Sequence, residues 1–157
     1  MQDEFSRKVA KAQSTVENIV SREVVDAAVS IHKELGPGLM EKVYETVLER
    51  ELSRRGLKVE RQVKIPIQYG DLSFEEGFQA DLIVERKVVL ELKSVEKMQP
   101  LHHKQLNTYL RLTGLRLGIL LNFGSCLMKN GIVRVVNNLE DSPFAPSRLC
   151  VRKKPHA

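Results

Sequence analysis

The chain has 157 residues, with 25 Lys and Arg against 20 Asp and Glu, and a net charge of +5. Apolar residues at 42% and charged residues at 29% exclude a largely disordered chain, and the length suits one domain with a sizeable core. No apolar run nears the roughly 18 residues of a membrane span. The amino terminus lacks a signal peptide's apolar core, and two cysteines, Cys126 and Cys150, make no disulfide framework. The expectation is a cytoplasmic, membrane-free protein whose mild basicity permits a polyanionic partner.

Residues 1–19 are polar and read as a flexible segment or a helix extension. One domain is expected over 20–138, with a polar, Pro-interrupted tail over 139–157. Val20, Val24, Ala27, Ala28, Ile31 and Leu35 recur at helical spacing, and Gly36-Pro37-Gly38 stops that helix. A second helix runs from Leu39 to Arg55, with Val43, Tyr44, Val47, Leu48 and Leu52 on one face. The period then changes to two: Val63, Ile65, Ile67 and Tyr69 alternate with polar residues in a strand, and Pro66 argues for an edge or a bulge. After the Gly70-Asp71 turn, Phe74 to Val84 forms a second strand with a bulge signal at Gly77. Lys87 to Lys93 forms a third, apolar on both faces as a central strand is. A helix over Pro100 to Leu112 follows, then a buried strand over Leu115 to Phe123 and a short one over Ile132 to Val136. The order ααβββαββ predicts an α/β fold with a mixed sheet flanked by helices.

Glu91-Leu92-Lys93 places two charges on one face of the third strand. With 15 Glu and 13 Lys, chance alone gives about one such spacing, and Glu85-Arg86-Lys87 is a second. Context separates them, because Glu85 and Lys87 fall in a turn whereas Glu91 and Lys93 interrupt an apolar strand, where unpaired charge is costly. A three-residue loop over Glu85–Lys87 sets Val84 against Val88, Leu82 against Leu90 and Asp81 against Glu91, so that Asp81, Glu91 and Lys93 share a face. Two such carboxylates suit a hard divalent ion, with the lysine offsetting charge on a phosphate; an ion-pair cluster at a sheet end fits the same spacing. Glu41 in the first turn of the second helix suits the helix dipole. His102, Gln105 and Tyr109 share one face of the third helix.

Gly38-Leu39-Met40-Glu41-Lys42-Val43-Tyr44 spells G-x-x-E-x-x-Y. With Asp81, Glu91-Leu92-Lys93 and Gln105-x-x-x-Tyr109, the chain resembles the GxxExxY proteins of the PD-(D/E)XK nuclease superfamily. The resemblance implies a restriction-endonuclease-like core and a Mg²⁺-dependent (or Mn²⁺-dependent) nuclease that hydrolyses DNA. Asp81, Glu91 and Glu41 would be its metal ligands, Lys93 its catalytic lysine, and Gln105 with Tyr109 the supporting helix motif of RecB-like nucleases. Ala80 stands where the superfamily's name has proline, a position without chemistry. Phosphate contacts are expected from Lys42, Arg54, Arg55, Lys104 and Arg111, in a basic surround to the acidic cluster. The alternatives are a nucleic-acid-binding or protein-interaction module without turnover, and hydrolysis of RNA or another phosphodiester. DNA is favoured over RNA. A homodimer suits cutting of two strands, though no residue marks an interface.

Overall fold

A computed structural model describes residues 2–137, with side chains from Val16 onward. Helix α1 (Gln2–Leu35) buries Val20, Val24, Ala27, Ala28 and Ile31, the expected stripe, and extends amino-terminally well beyond it. Gly36 ends it at φ +71°, donating its N–H to the His32 carbonyl at 2.9 Å, and Gly38 at φ +105° turns the chain again. A side chain at either position would be strained, which is why two glycines bracket Pro37. Helix α2 (Glu41–Arg54) follows.

Strands β1 (Val59–Tyr69), β2 (Leu72–Val84) and β3 (Val88–Lys93) lead through helix α3 (Pro100–Thr113) to β4 (Leu117–Asn122), a single 3-10 turn (Met128–Asn130) and β5 (Ile132–Val136). The strands lie in the sheet in chain order. All neighbours are antiparallel except β3 and β4, which α3 connects in parallel. This is the expected α/β arrangement, a restriction-endonuclease-like mixed sheet between helices. On one face, α1 and α2 pack over Leu82, Val84, Leu90, Leu92, Leu117, Ile119 and Leu121. On the other, Leu106, Tyr109 and Leu110 of α3 pack over Ile83, Val89 and Leu120. Gly118 lets α3 approach closely, since a Cβ there would meet the Leu106 side chain.

The hairpin register holds as expected for Val84–Val88 and Leu82–Leu90. Pairing then stops, so Asp81 and Glu91 are not ladder partners; the strands part at Asp81, whose side chain takes over the next bond. Edge strand β1 begins at Val59, earlier than its alternation suggested, and its register shifts between Ile65 and Ile67, beside Pro66. Ile67 covers Gly77, leaving no room there for a Cβ. Both strands also exchange faces near Gln62 and Asp81. Val59, Leu82 and Val84 pack in the α1/α2 layer, whereas Val63, Ile65 and Ala80 pack in the α3 layer. Gln62, with φ +50°, is the non-glycine residue that accommodates this turn. Among the described residues, no helix is long and apolar enough to cross a membrane. The expected tail and Cys150 lie outside the described residues.

Candidate active site

Where β2 and β3 part, Asp81 Oδ2 accepts the Leu92 N–H at 2.8 Å, replacing the missing ladder bond with a side-chain one. Glu91 is only 5% exposed. Its Oε1 accepts from Lys93 Nζ at 2.7 Å, while Oε2 is buried without a hydrogen-bond partner. Burial and then the Asp81 charge push the Glu91 carboxyl up to about 7. Burial also raises Asp81, against the opposing pull of the Leu92 N–H and Lys93. Burial works to lower Lys93, yet the bond to Glu91 and the charges of Glu91, Glu41 and Asp81 outweigh it, so its pKa is raised and the ammonium stays charged. Asp81, Glu91 and Lys93 lie close enough to act on one another electrostatically, at the point where β2 changes face.

Glu41 reaches this end of the sheet from the opposite layer. Its Oε1 accepts the Ser94 N–H at 3.2 Å, and Ser94 Oγ donates to the Leu39 carbonyl at 2.6 Å. The Tyr44 hydroxyl braces the same loop, donating to the Gly36 carbonyl at 2.6 Å and accepting the Leu39 N–H at 3.1 Å. Its ring stacks on Phe123 with centroids 4.3 Å apart. The motif's tyrosine thereby fixes the loop that presents its glutamate. Buried Asn122 holds the other side: Oδ1 accepts the Val95 and Gly124 N–H groups, and Nδ2 donates to the Val95 carbonyl.

On α3, Tyr109 is buried, edge-on to Phe78 at 5.2 Å. Burial and then the nearby Glu91 and Asp81 push its hydroxyl up to about 12, so it remains neutral. Gln105 is half-buried one turn before it. His102 Nδ1 accepts the Gln99 N–H at 3.2 Å, and burial together with Lys93 lowers its pKa.

An open cleft of about 1040 Å³ takes in Glu41, Asp81, Leu92 and Ser94. Its walls carry four carboxylates (Glu41, Glu45, Asp81 and Glu96) against two cations, Lys42 and Arg61. Beyond Glu41 and Asp81, the lining sets Glu45 and Glu96 against Lys42 and Arg61, a balanced surround where a basic one was expected. Of the expected phosphate contacts, Lys42 lines this cleft. Arg54 pairs with Glu51, and Arg55 is bound to Glu23, Asp26 and Glu51, both at the far end of α2, roughly 20 Å from Glu41 at 1.5 Å per residue. Lys104 is exposed on α3, and Arg111 donates to Thr108 Oγ1. Glu45, Arg61 and Gln62 were not anticipated. Glu45 is 6% exposed, with Oε1 accepting from Arg61 Nε at 3.0 Å and Oε2 from Gln62 Nε2 at 2.8 Å. A second glutamate four residues after Glu41 on a helix face was its one sequence signal, because like charges at that spacing repel.

The donor set suits a hard divalent cation: two neighbouring carboxylates held above their ordinary pKa, Asp81 lining the cleft and Glu91 buried with an unpartnered oxygen. Among the described residues, no three His, Cys, Asp or Glu side chains converge into a ready-made cage. An ion here would need main-chain carbonyls and water to complete its shell, as Mg²⁺ commonly does.

No curated protein matches the chain. Residues 18–135, three quarters of its length, match the PD-(D/E)XK nuclease superfamily, and the protein belongs to that superfamily.

Proposed function

We propose that this member of the PD-(D/E)XK superfamily is a Mg²⁺- or Mn²⁺-dependent nuclease that hydrolyses phosphodiester bonds of DNA. Its motif spacing supports placement among the GxxExxY proteins, and its free exposed thiol, Cys126, fits a reducing cytoplasm. The observation that carries the reading is Glu91, buried in an apolar strand beside Asp81 with one oxygen on Lys93 and the other unpaired. A charge this costly to bury suits a site built for a cation and a reacting phosphate. Asp81 and Glu91 would hold the metal, with Glu41 at the cleft edge. When bound, the ion supplies Lewis-acid stabilisation of the phosphate and a more acidic water. Lys93, kept protonated by the surrounding carboxylates, stabilises negative charge on the phosphate and does not serve as the base. Tyr109 and Gln105 support the site from α3.

The test is degradation of labelled DNA by the purified protein with Mg²⁺ or Mn²⁺ and its loss in EDTA, with RNA of matched sequence as comparison. No cleavage with either metal would overturn the assignment. A second reading, a binding or interaction module without turnover, draws on the absence of a three-ligand cage among the described residues. Calorimetric titration with Mg²⁺ separates the two, since the module predicts no binding at millimolar metal.

A further inference from the structure

The Glu45–Arg61–Gln62 group lies in the same cleft as Asp81, yet no step above uses it. Glu45 is nearly buried, and both its oxygens are committed to consecutive residues of β1. Arg61 also donates from Nη2 to Thr46 Oγ1 at 3.1 Å. These bonds use two of the three guanidinium nitrogens, and Nη1 has no hydrogen-bond partner among the described residues. The side chain is one-third exposed, on a cleft wall. An arginine fixed by a buried carboxylate loses little rotamer freedom when it grips an anion, and its planar fork suits phosphate oxygens. The backbone is held just as firmly. Gln62 occupies the left-handed region at φ +50°, between Arg61, paired with Leu82, and Val63, paired with Ala80. Continuing that register sets Gln62 opposite Asp81. Strain of this kind persists where the surroundings over-determine it, and it gathers at functional sites.

We propose that Arg61 is a phosphate-binding residue for the nucleic-acid strand in this cleft, and that Glu45 is the positioning residue that presents it. The proposal rests on the nuclease reading for the identity of its ligand. In a largely acidic cleft, Arg61 and Lys42 are the cations that can bind the backbone of a strand whose scissile phosphate lies at Asp81. Gln62 joins the two sites through one short segment of β1.

The experiment measures binding of a labelled DNA duplex by fluorescence anisotropy in EDTA over a range of salt, and steady-state cleavage with Mg²⁺. Arg61→Ala is expected to weaken binding about tenfold and to reduce the salt slope by about one, raising KM while kcat stays within about threefold. Glu45→Gln should weaken binding in the wild-type background and add nothing in Arg61→Ala, which a purely structural role for Glu45 would not produce. Arg61→Lys, which keeps the charge but not the fork, should fall between. Unchanged affinity and slope in Arg61→Ala, with wild type binding DNA, would overturn the proposal and leave the nuclease reading standing. Wild type that binds but never cleaves, with Arg61→Ala binding less, would sink the nuclease reading alone. Wild type that neither binds DNA nor cleaves it with Mg²⁺ or Mn²⁺ removes both. If Glu45→Gln does not fold, the two Arg61 variants decide the matter.

Discussion

The β2–β3 hairpin carries the spacing Glu-x-Lys at both ends. At the turn, Glu85 and Arg86 adopt positive φ values of +52° and +53°, Glu85 Oε1 accepts the Lys58 N–H at 2.7 Å, and Arg86 pairs with Glu60 at the surface. At the open end, Glu91 is buried, one of its oxygens bonds Lys93, and Asp81 lies close enough to raise its pKa. The main chain takes Glu85 of the first pair, whereas Glu91 of the second is buried with one oxygen on Lys93 and the other without a partner. Chemistry follows from withdrawing charges into the apolar strand, and the spacing itself is neutral.

The largest expected difference between the two ends is catalytic. Lys93→Ala should lower metal-dependent cleavage by about 10²–10³-fold, as loss of one preorganised charge stabiliser does. Lys87→Ala should leave the rate within about twofold, and equal losses in single-turnover assays would erase the distinction. The next effect is on stability. The folded protein holds a proton on Glu91 up to about pH 7, whereas a free carboxyl releases it near 4.5. This contribution is full below pH 4.5 and disappears as pH rises through 7. Relative to Glu91→Gln, metal-free wild type should therefore lose as much as about 3 kcal/mol across that window. Denaturant titrations at several pH values check this, and a flat difference would contradict the burial argument. Millimolar Mg²⁺ at neutral pH should raise the Tm of wild type and not of Glu91→Gln. Tyr44→Phe keeps the stacked ring and removes both hydroxyl bonds to the Gly36–Leu39 loop, so a loss of about 1–2 kcal/mol is expected on thermal unfolding. Smallest of all, Lys87→Ala should change stability by less than about 0.5 kcal/mol.

The strongly patterned parts of the chain were legible in advance. Ile132–Val136 has its expected bounds, Gly36 ends α1, and the three-residue turn sets the Leu82–Leu90 register. Glu91 and Lys93 were legible for the same reason, since strand parity sets them side by side, whereas Asp81 falls where β2 changes face and parity alone does not place it. What escaped notice depends on contacts distant in sequence. Helix α1 begins at Gln2, far ahead of the apolar spacing that marks it from Val20 onward. Val59 and Val63 have the same parity but serve different layers, because Gln62 turns the strand between them, so alternation concealed the start of β1. Glu45 looked like one more helix glutamate until β1 brought Arg61 and Gln62 against it.

The parallel pairing of β3 with β4 has a consequence for the order in which the molecule forms. The β2–β3 hairpin closes through a three-residue turn and brings Asp81 to the Leu92 N–H early, at low loop entropy. The Asn122 clamp on Val95 requires the chain to pass through α3 and return, and the Glu41–Ser94 bond spans 53 residues. Such distant contacts are slow to form. A nascent chain that has finished β3 but not β4 therefore holds Asp81 on the Leu92 N–H without the Asn122 clamp that fixes Val95 at the cleft wall.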